Sequence, residues 1–172
     1  NLITANLEQN KTYIIDKYVC ICSYRDLPED KILQQACSGA EQASKKGFDR
    51  LLLESSEKWL KKWKHSDIEI CGDAEIQGAI RYNIFQLIQT HNESDEKISI
   101  GARGIMHGRY KGCYFWDTEI FMLPFYIYTN PKAARSLLMY RYNTLEGARM
   151  NAKTLTLKGA RYPWMCSDSG LE

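Results

Sequence analysis

The sequence predicts a mostly α-helical chain. Apolar residues recur at helical spacing over 29–46, 73–89 and 131–148, and signals for a helix start precede the first and last of these segments. Between them, residues 115–128 are apolar on all sides, which is typical of a helix buried on every face. Helices that are exposed to solvent on one side alternate with fully buried helices. This alternation indicates nested helical layers, of which a toroid of paired helices is one arrangement. No repeat of fixed period is visible, which disfavours a solenoid.

The chain opens with a predicted β segment. Residues 12–24 are dense in aromatic and β-branched types, which favour one or two strands. The run Asp26-Leu27-Pro28-Glu29 then supplies a capping carboxylate, a proline for the first turn and a glutamate three residues on. These signals predict a first helix over about 29–46, with Gly47 as its stop.

Two further helices are predicted before the middle of the chain. The second has an apolar stripe of Leu52, Ser56, Trp59 and Trp63, and lysines 58, 61, 62 and 64 on the opposite face. We interpret that basic face as solvated, because a nearly neutral chain offers little attraction for nucleic acid. The third helix runs from about Asp73 to Gln89, and a polar loop over 91–96 follows it across the surface. Its predicted inward residues are Ile76, Ile80, Ile84, Leu87 and Ile88.

The second half of the chain continues with the all-apolar segment at 115–128, which Pro124 is expected to kink or end. Asn130-Pro131 then restarts a helix as its cap and first residue. One apolar face is predicted for this helix, formed by Ala134, Leu137, Leu138, Leu145 and Ala148.

Composition excludes several classes of partner. The 23 basic and 21 acidic residues leave a formal charge of +2, so neither nucleic acid nor an anionic membrane is expected as a partner. No run approaches the roughly 18 apolar residues of a membrane span, and no signal sequence heads the chain, so we expect a soluble, cytoplasmic protein. Six cysteines match no zinc spacing, which predicts reduced thiols and no metal. The start at Asn1 and the polar end after an aromatic turn indicate a segment cut from a longer chain.

Two runs combine aromatic rings with carboxylates, as carbohydrate sites require. They are Tyr114-Phe115-Trp116-Asp117-Thr118-Glu119 and Tyr162-Pro163-Trp164-Met165-Cys166-Ser167-Asp168. In the first run, Trp116 and Asp117 stand where a loop enters a buried helix, a rigid place for a ligand contact. The alternative is that Asp117 or Thr118 merely caps the helix, with Glu119 favoured by the helix dipole in the first turn.

The second run is extended, because Pro163 keeps its neighbour away from helical angles. Its alternative interpretation is a hydrophobic plug between helices. The histidines at 65, 91 and 107 form no ligand spacing, and only His107, beside Gly108-Arg109-Tyr110, lies in a plausible loop site. Gly101-Ala102-Arg103-Gly104 is too sparse for a phosphate loop.

The first run and its continuation resemble a known family. Residues 112–124 (GCYFWDTEIFMLP) strongly resemble the maltose, kojibiose and trehalose phosphorylases of glycoside hydrolase family 65. The resemblance continues through residues 128–131, 138–149 and 159–164, and residues 79–87 upstream also look like the family. It covers about 73–172 well and the earlier part by the order of elements only.

The resemblance implies a multidomain enzyme with an (α/α)6 toroid of the six-hairpin glycosidase type. Residues 1–26 would then be the end of an N-terminal β-sandwich, 27–66 a helical linker, and 67–172 the first helices of the catalytic barrel, truncated here. The implied reaction is inverting phosphorolysis of an α-glucosidic disaccharide to β-glucose 1-phosphate and a free acceptor sugar. Phosphate as co-substrate replaces the water of an inverting hydrolase, so one carboxylic acid suffices and no cofactor is needed. Assembly as a homodimer is compatible with the resemblance.

By the same resemblance, Trp116 and Asp117 would line the donor glucose subsite, and Trp164 would reach the donor and acceptor subsites. Met165 stands where many members have a glutamate, which removes a hydrogen-bonding carboxylate and leaves the choice of acceptor open. Cys113 stands where many have a histidine, so any role of that ring is absent. The general-acid glutamate is expected downstream, so the 172-residue segment alone is expected to be inactive. Two alternatives remain open, a hydrolase of the glucoamylase-like barrel type and a non-catalytic sugar-binding or structural fragment.

Overall fold

A computed structural model of the chain describes residues 4–105 and 110–171 and confirms the mostly helical class. The chain divides into two compact units, Asn1–Leu60 and Lys61–Glu172. Within the described ranges the elements are six α-helices, one π-helical turn and one two-stranded ribbon. In chain order they are α1 (Glu29–Lys46), α2 (Phe48–Lys64), α3 (Ala74–Thr90), β1 (Tyr114–Phe115), the π-turn (Thr118–Met122), α4 (Leu123–Thr129), α5 (Pro131–Asn143), α6 (Leu145–Thr154) and β2 (Met165–Cys166).

Helix α1 has the predicted bounds but not the predicted cap. The residue before the helix is Pro28, which has no side-chain acceptor, and no side chain caps the first turn. Asp26 instead accepts hydrogen bonds from the backbone N–H and the hydroxyl of Ser23, at 2.9 and 2.8 Å, and closes the turn before the helix. The predicted stop is confirmed, because Gly47 has a φ of 79° and donates its N–H to the Ala43 carbonyl at 3.1 Å.

The strand predicted over 12–24 is wrong for the described chain. This segment forms no strand ladder, and its apolar side chains are largely exposed, with Ile21 at 89%. A strand needs a neighbouring strand to complete its hydrogen bonds, so a composition that favours β structure is insufficient without one.

All six cysteines are free thiols, and the sulfur atoms of Cys20 and Cys22 lie 3.9 Å apart.

Helices α2 and α3 confirm two of the predicted elements. The four lysines of α2 are exposed, as expected of a solvated face, and none of its residues is fully buried. Asp73 caps α3 by accepting the N–H groups of Glu75 and Ile76, both at 3.0 Å. Of the predicted inward face only Ile84 and Ile88 are buried, whereas Ile76 is exposed. The apolar side of α3 is therefore covered only toward its C-terminal end.

The segment 115–128 is not buried on every face. It consists of the π-turn followed by α4, and it buries one side through Phe115, Thr118, Leu123 and Tyr126. The opposite side is open, with Tyr128 87% exposed. Pro124 does not end the element but is the second residue of α4, where a missing N–H costs no helical hydrogen bond.

The core of the second unit lies between α4 and α5. Its buried cluster comprises Ile100, Leu123, Tyr126, Ala133, Ala134 and Leu137. Asn130 caps α5 as predicted, by accepting the Ala133 N–H at 3.2 Å. The helix predicted to continue to 148 instead breaks at Thr144, whose buried hydroxyl donates to the Tyr140 carbonyl at 2.9 Å. Leu138, predicted to face inward, is exposed, whereas Ala134 and Leu137 are buried as predicted.

The polar loop after α3 lies against α5. The Ser136 hydroxyl donates to the Asp95 carbonyl at 2.8 Å, and the Asn143 amide donates to the Glu96 carbonyl at 3.1 Å. His91, at the start of this loop, is buried rather than exposed.

No helix in the part of the chain that the structure describes is long and apolar enough to cross a membrane.

Candidate functional site

A short antiparallel ribbon brings the two aromatic runs together. Strand β1 pairs with β2, so that Tyr114 lies opposite Cys166 and Phe115 opposite Met165. Trp116 follows β1 directly and Trp164 precedes β2 directly, so the register places both indoles at the same end of the ribbon. Their ring centroids are 5.5 Å apart, and the ring planes meet at 81°. Phe115 also contacts Trp164 edge to face, at 5.9 Å.

Trp116, Asp117, Trp164 and Met165 form a surface that we call the aromatic face. Trp116 is 38% exposed and Trp164 is 53% exposed, although the two rings contact each other. A perpendicular pair covers at most one face of each ring, so indole surface remains available to a ligand. Within the described chain Trp164 is thus not packed as a hydrophobic plug, whereas the adjacent Pro163 is fully buried.

Asp117 lies beside Trp116 in the first turn after β1. The Trp116 carbonyl closes this turn by accepting the N–H groups of Glu119 and Ile120, at 3.0 and 3.1 Å. The Asp117 side chain makes no capping hydrogen bond, and its carboxylate has no hydrogen-bond partner among the residues that the structure describes. Thr118 donates its buried hydroxyl to the Ile100 carbonyl at 3.0 Å instead of capping the turn. The helix-cap alternative is thus wrong for both residues.

Beneath the aromatic face lies a polar cluster that we call the polar layer, in which Tyr140, Arg141 and Cys166 are buried and Glu119 is half-buried. Arg141 donates from Nε and Nη2 to the two carboxylate oxygens of Glu119, at 2.9 and 2.7 Å. Its Nη2 also donates to the Phe115 carbonyl at 3.2 Å, and its Nη1 lies 3.4 Å from the Cys166 sulfur. Burial disfavours the charge of Arg141, but the Glu119 carboxylate outweighs it and holds the guanidinium pKa above its ordinary value.

Two tyrosines complete the packing around Arg141. The Tyr140 hydroxyl donates to the Ser167 carbonyl at 2.6 Å, and the Tyr162 hydroxyl donates to the Arg141 carbonyl at 2.9 Å. Burial raises the pKa of Tyr140 far above its ordinary value, so its hydroxyl stays protonated and continues to donate. The guanidinium carbon of Arg141 lies 5.3 Å from the Tyr140 ring centroid and 5.9 Å from that of Tyr162. Helix α5 is thereby joined to both aromatic runs.

Sequence reasoning missed this polar layer. Glu119 was expected only to benefit from the helix dipole, and Arg141 was not singled out. A signal was present, because Ala134, Leu137 and Arg141 follow one another at spacings of three and four and so share the buried side of α5. An arginine in line with buried apolar residues needs a partner, and Glu119 supplies it.

His91 packs edge to face on Tyr126, at 5.9 Å, within the core of the second unit. His107 lies outside the residues that the structure describes. Across the described ranges, no group of three or more histidine, cysteine, aspartate or glutamate side chains is placed to hold a metal ion.

Two family models match the chain in succession. Residues 1–62 match the glycosyl hydrolase family 65 N-terminal domain, and residues 81–172 match the glycosyl hydrolase family 65 central catalytic domain. The chain is 46% identical over 165 residues to a kojibiose phosphorylase of Caldanaerobacter subterraneus subsp. tengcongensis, covering 96% of this chain and 21% of that protein. It is 38% identical over 167 residues to an α,α-trehalose phosphorylase of Thermoanaerobacter brockii, covering 97% and 21% of the two chains.

A solved structure agrees with these matches. The fold resembles that of a "putative kojibiose phosphorylase from human microbiome" with a TM-score of 0.78 and 37% sequence identity. The matched region covers 86% of this chain and 20% of that one. The chain therefore spans about a fifth of the length of the relatives it matches.

Proposed function

Because this chain belongs to glycosyl hydrolase family 65, we propose that the whole protein cleaves an α-glucosidic disaccharide with inorganic phosphate. The products are β-glucose 1-phosphate and a free acceptor sugar, and the anomeric centre is inverted. Support comes from the relatives, which are named as phosphorylases of kojibiose and trehalose. They are several times longer than this chain, so the activity is proposed for the whole protein.

The observation that carries the proposal is the meeting of Trp116 and Trp164 beside the Asp117 carboxylate, which has no hydrogen-bond partner among the described residues. The exposed indoles offer flat apolar surface to the C–H face of a glucose ring. Asp117 is half-buried and not engaged in capping, so both of its oxygens are available to accept hydrogen bonds from sugar hydroxyls. An aromatic wall and an acceptor side by side are the combination that orients a pyranose.

In this site Trp116, Asp117 and Trp164 bind and orient the donor glucose. Holding the ring fixed favours attack at the anomeric carbon from the face opposite the leaving sugar. Phosphate is the attacking group, so a single protonated carboxyl is needed, to protonate the departing oxygen. We assign that general acid to a glutamate outside these 172 residues, and the reaction requires no cofactor besides phosphate as co-substrate.

Met165 is proposed to influence the choice of acceptor. It is exposed next to Trp164 and opposite Phe115 in the ribbon. A thioether offers apolar contact but only weak hydrogen bonding, so the acceptor sugar would be held here by packing rather than by a carboxylate.

The proposed domain organisation follows the family. Residues 67–172 would open an (α/α)6 barrel, 27–66 would form a helical linker, and 1–26 would end a β-sandwich. The likeness to a solved family structure and the change from the N-terminal to the catalytic family model along the chain support this order. A homodimer and a cytoplasmic location belong to the same proposal.

A substrate panel tests the reaction. The full-length protein is incubated with kojibiose, nigerose, maltose and trehalose, each with and without phosphate, and the products are followed by NMR to identify their anomeric form. We expect β-glucose 1-phosphate from at least one disaccharide, and only when phosphate is present. Glucose release that does not depend on phosphate would identify a hydrolase. The absence of reaction with every disaccharide would favour a non-catalytic role.

A further inference from the structure

We propose that Arg141 is a positioning residue that holds Trp116, Asp117 and Trp164 in their relative places. The inference rests on the proposed function insofar as these residues bind glucose. Arg141 itself is 9% exposed and lies beneath the aromatic face, so it acts through other residues rather than on a substrate.

The first argument concerns the ribbon, which is too short to set its own geometry. Each strand has two residues, and such a pair contributes little stability by itself. Arg141 donates to the Phe115 carbonyl in β1 and to the Cys166 sulfur in β2. Phe115 directly precedes Trp116, and Cys166 lies two residues beyond Trp164. One guanidinium therefore joins the strands that present the two indoles.

The second argument concerns Asp117, which the contacts of Arg141 bracket along the chain. The Phe115 carbonyl lies two residues before Asp117, and the Glu119 carboxylate lies two residues after it. Both ends of the turn are thus held by the same planar group. The Asp117 carboxylate has no partner of its own within the described chain, so its direction depends on how firmly this turn is held.

The third argument concerns why the residue is an arginine. The planar guanidinium directs five N–H groups in fixed directions, which allows two bonds to Glu119 and two further contacts at the same time. A lysine in this position could keep the charge pair with Glu119 but could not reach both strands with fixed geometry. If the role of Arg141 were purely electrostatic, lysine could replace it. A positioning role requires the several fixed N–H directions of the guanidinium group.

The test compares Arg141→Lys with Arg81→Lys in the full-length protein. Arg81 is a matched control, because its Nε and Nη2 also donate to both oxygens of a carboxylate, that of Asp67, at 2.9 and 2.7 Å. That pair is exposed and contacts neither aromatic run. For Arg141→Lys we expect the KM for the disaccharide to rise about tenfold or more, because a misplaced ring wall weakens binding. The KM for phosphate should stay unchanged, and Arg81→Lys should resemble the wild type.

A spectroscopic measurement reads the positioning without catalysis. Two indoles 5.5 Å apart and nearly perpendicular should give an exciton couplet in the far-ultraviolet circular dichroism. The couplet is isolated in each background as the difference from the same protein carrying Trp164→Phe. We expect Arg141→Lys to lose most of the couplet and Arg81→Lys to retain it.

The outcomes separate the inference from the proposed function. A fall in kcat with both KM values unchanged and the couplet intact would mean that Arg141→Lys only reduces the amount of folded enzyme, which overturns the inference. If Arg141→Lys does not fold, Glu119→Gln, which keeps the shape but removes the charge, is expected to show the same pattern at smaller size, and an unchanged couplet and KM there would overturn the inference. If the wild type shows no phosphorolysis, the proposed function fails while the couplet still decides whether Arg141 sets the indole geometry.

Discussion

The aromatic face and the polar layer are built on the same ribbon and the same turn, yet their polar groups are treated in opposite ways. In the polar layer the Glu119 carboxylate receives two bonds from Arg141, and the Tyr140 hydroxyl donates to a backbone carbonyl. In the aromatic face the Asp117 carboxylate has no hydrogen-bond partner within the described chain, and the indole of Trp164 is half-exposed. The two carboxylates stand two positions apart along the chain.

This difference shows how residues of one short segment can serve either the stability of the fold or the binding of a ligand. Buried polar groups must be paired or the fold loses free energy, so the residues of the polar layer satisfy one another. A ligand site needs polar groups that are held in place but not yet satisfied, which is the state of Asp117. Substitutions in the polar layer should therefore lower stability, and at Arg141 they should also disturb the ligand contacts that it positions, whereas substitutions in the aromatic face should affect activity alone.

The largest expected effect is the loss of stability in Glu119→Ala. Removal of this carboxylate leaves the guanidinium of Arg141 buried without its counter-charge, which should lower the free energy of unfolding by about 3 kcal/mol. The matched control is Asp67→Ala, which breaks a bidentate pair on the surface and should cost far less because water replaces the lost contacts. Urea denaturation of the full-length variants measures both. Equal losses would contradict the buried character of the Glu119 pair.

The next effect is on activity and appears in Asp117→Asn. A neutral amide weakens charge-assisted hydrogen bonds to sugar hydroxyls, so kcat/KM for the disaccharide should fall about 10- to 100-fold. The free energy of unfolding should change by less than about 0.5 kcal/mol, because Asp117 caps nothing. Asp49→Asn, at an exposed acidic residue in the first turn of α2, should leave kcat/KM unchanged and should lower the free energy of unfolding only by the small helix-dipole contribution of its charge. Parallel losses of activity and stability in Asp117→Asn would return this residue to a structural role.

A smaller loss of stability is expected in Tyr140→Phe. The change keeps the buried ring but removes the donor to the Ser167 carbonyl, which should cost about 1–2 kcal/mol. The neighbouring Tyr142 is exposed, so Tyr142→Phe is a matched control that should be nearly neutral. Thermal denaturation of the two variants provides the comparison. A neutral Tyr140→Phe would show that the Ser167 carbonyl finds another donor.

The smallest effect concerns the pH dependence of stability and involves His91. Burial lowers the pKa of His91, and the nearby carboxylates of Asp95 and Glu93 only partly oppose this shift. Arg141 is the opposite case, because the Glu119 carboxylate raises its pKa despite burial. The unfolded chain then binds more protons than the folded chain below the ordinary value of 6.5, so stability should fall as the pH drops below about 6.5. The Tm of His91→Phe should depend less on pH over this range than that of the wild type. His65→Phe, at an exposed histidine, should leave the dependence unchanged.

Local signals were sufficient for several helix ends. Asn130 caps α5 and Gly47 ends α1 as the sequence predicts, because each contact joins residues within a few positions of one another. The cap of α3 by Asp73 is equally local. Local signals failed where the outcome depends on distant chain. Residues 12–24, whose composition favours β structure, have no strand to pair with among the described residues. Asp26 does not cap α1, because its carboxylate accepts its hydrogen bonds from Ser23.

The candidate site shows the same division. The sequence by itself determined which two runs have the chemistry of a sugar site, because the kinds of side chain and the spacing within each run are properties of consecutive residues. Only the tertiary structure determined that Trp116 contacts Trp164, that the Asp117 side chain makes no capping hydrogen bond, and that Arg141 lies beneath them. The physical reason is that strand register and burial depend on contacts between residues far apart in the chain, and the pattern of neighbours along the sequence does not specify those contacts.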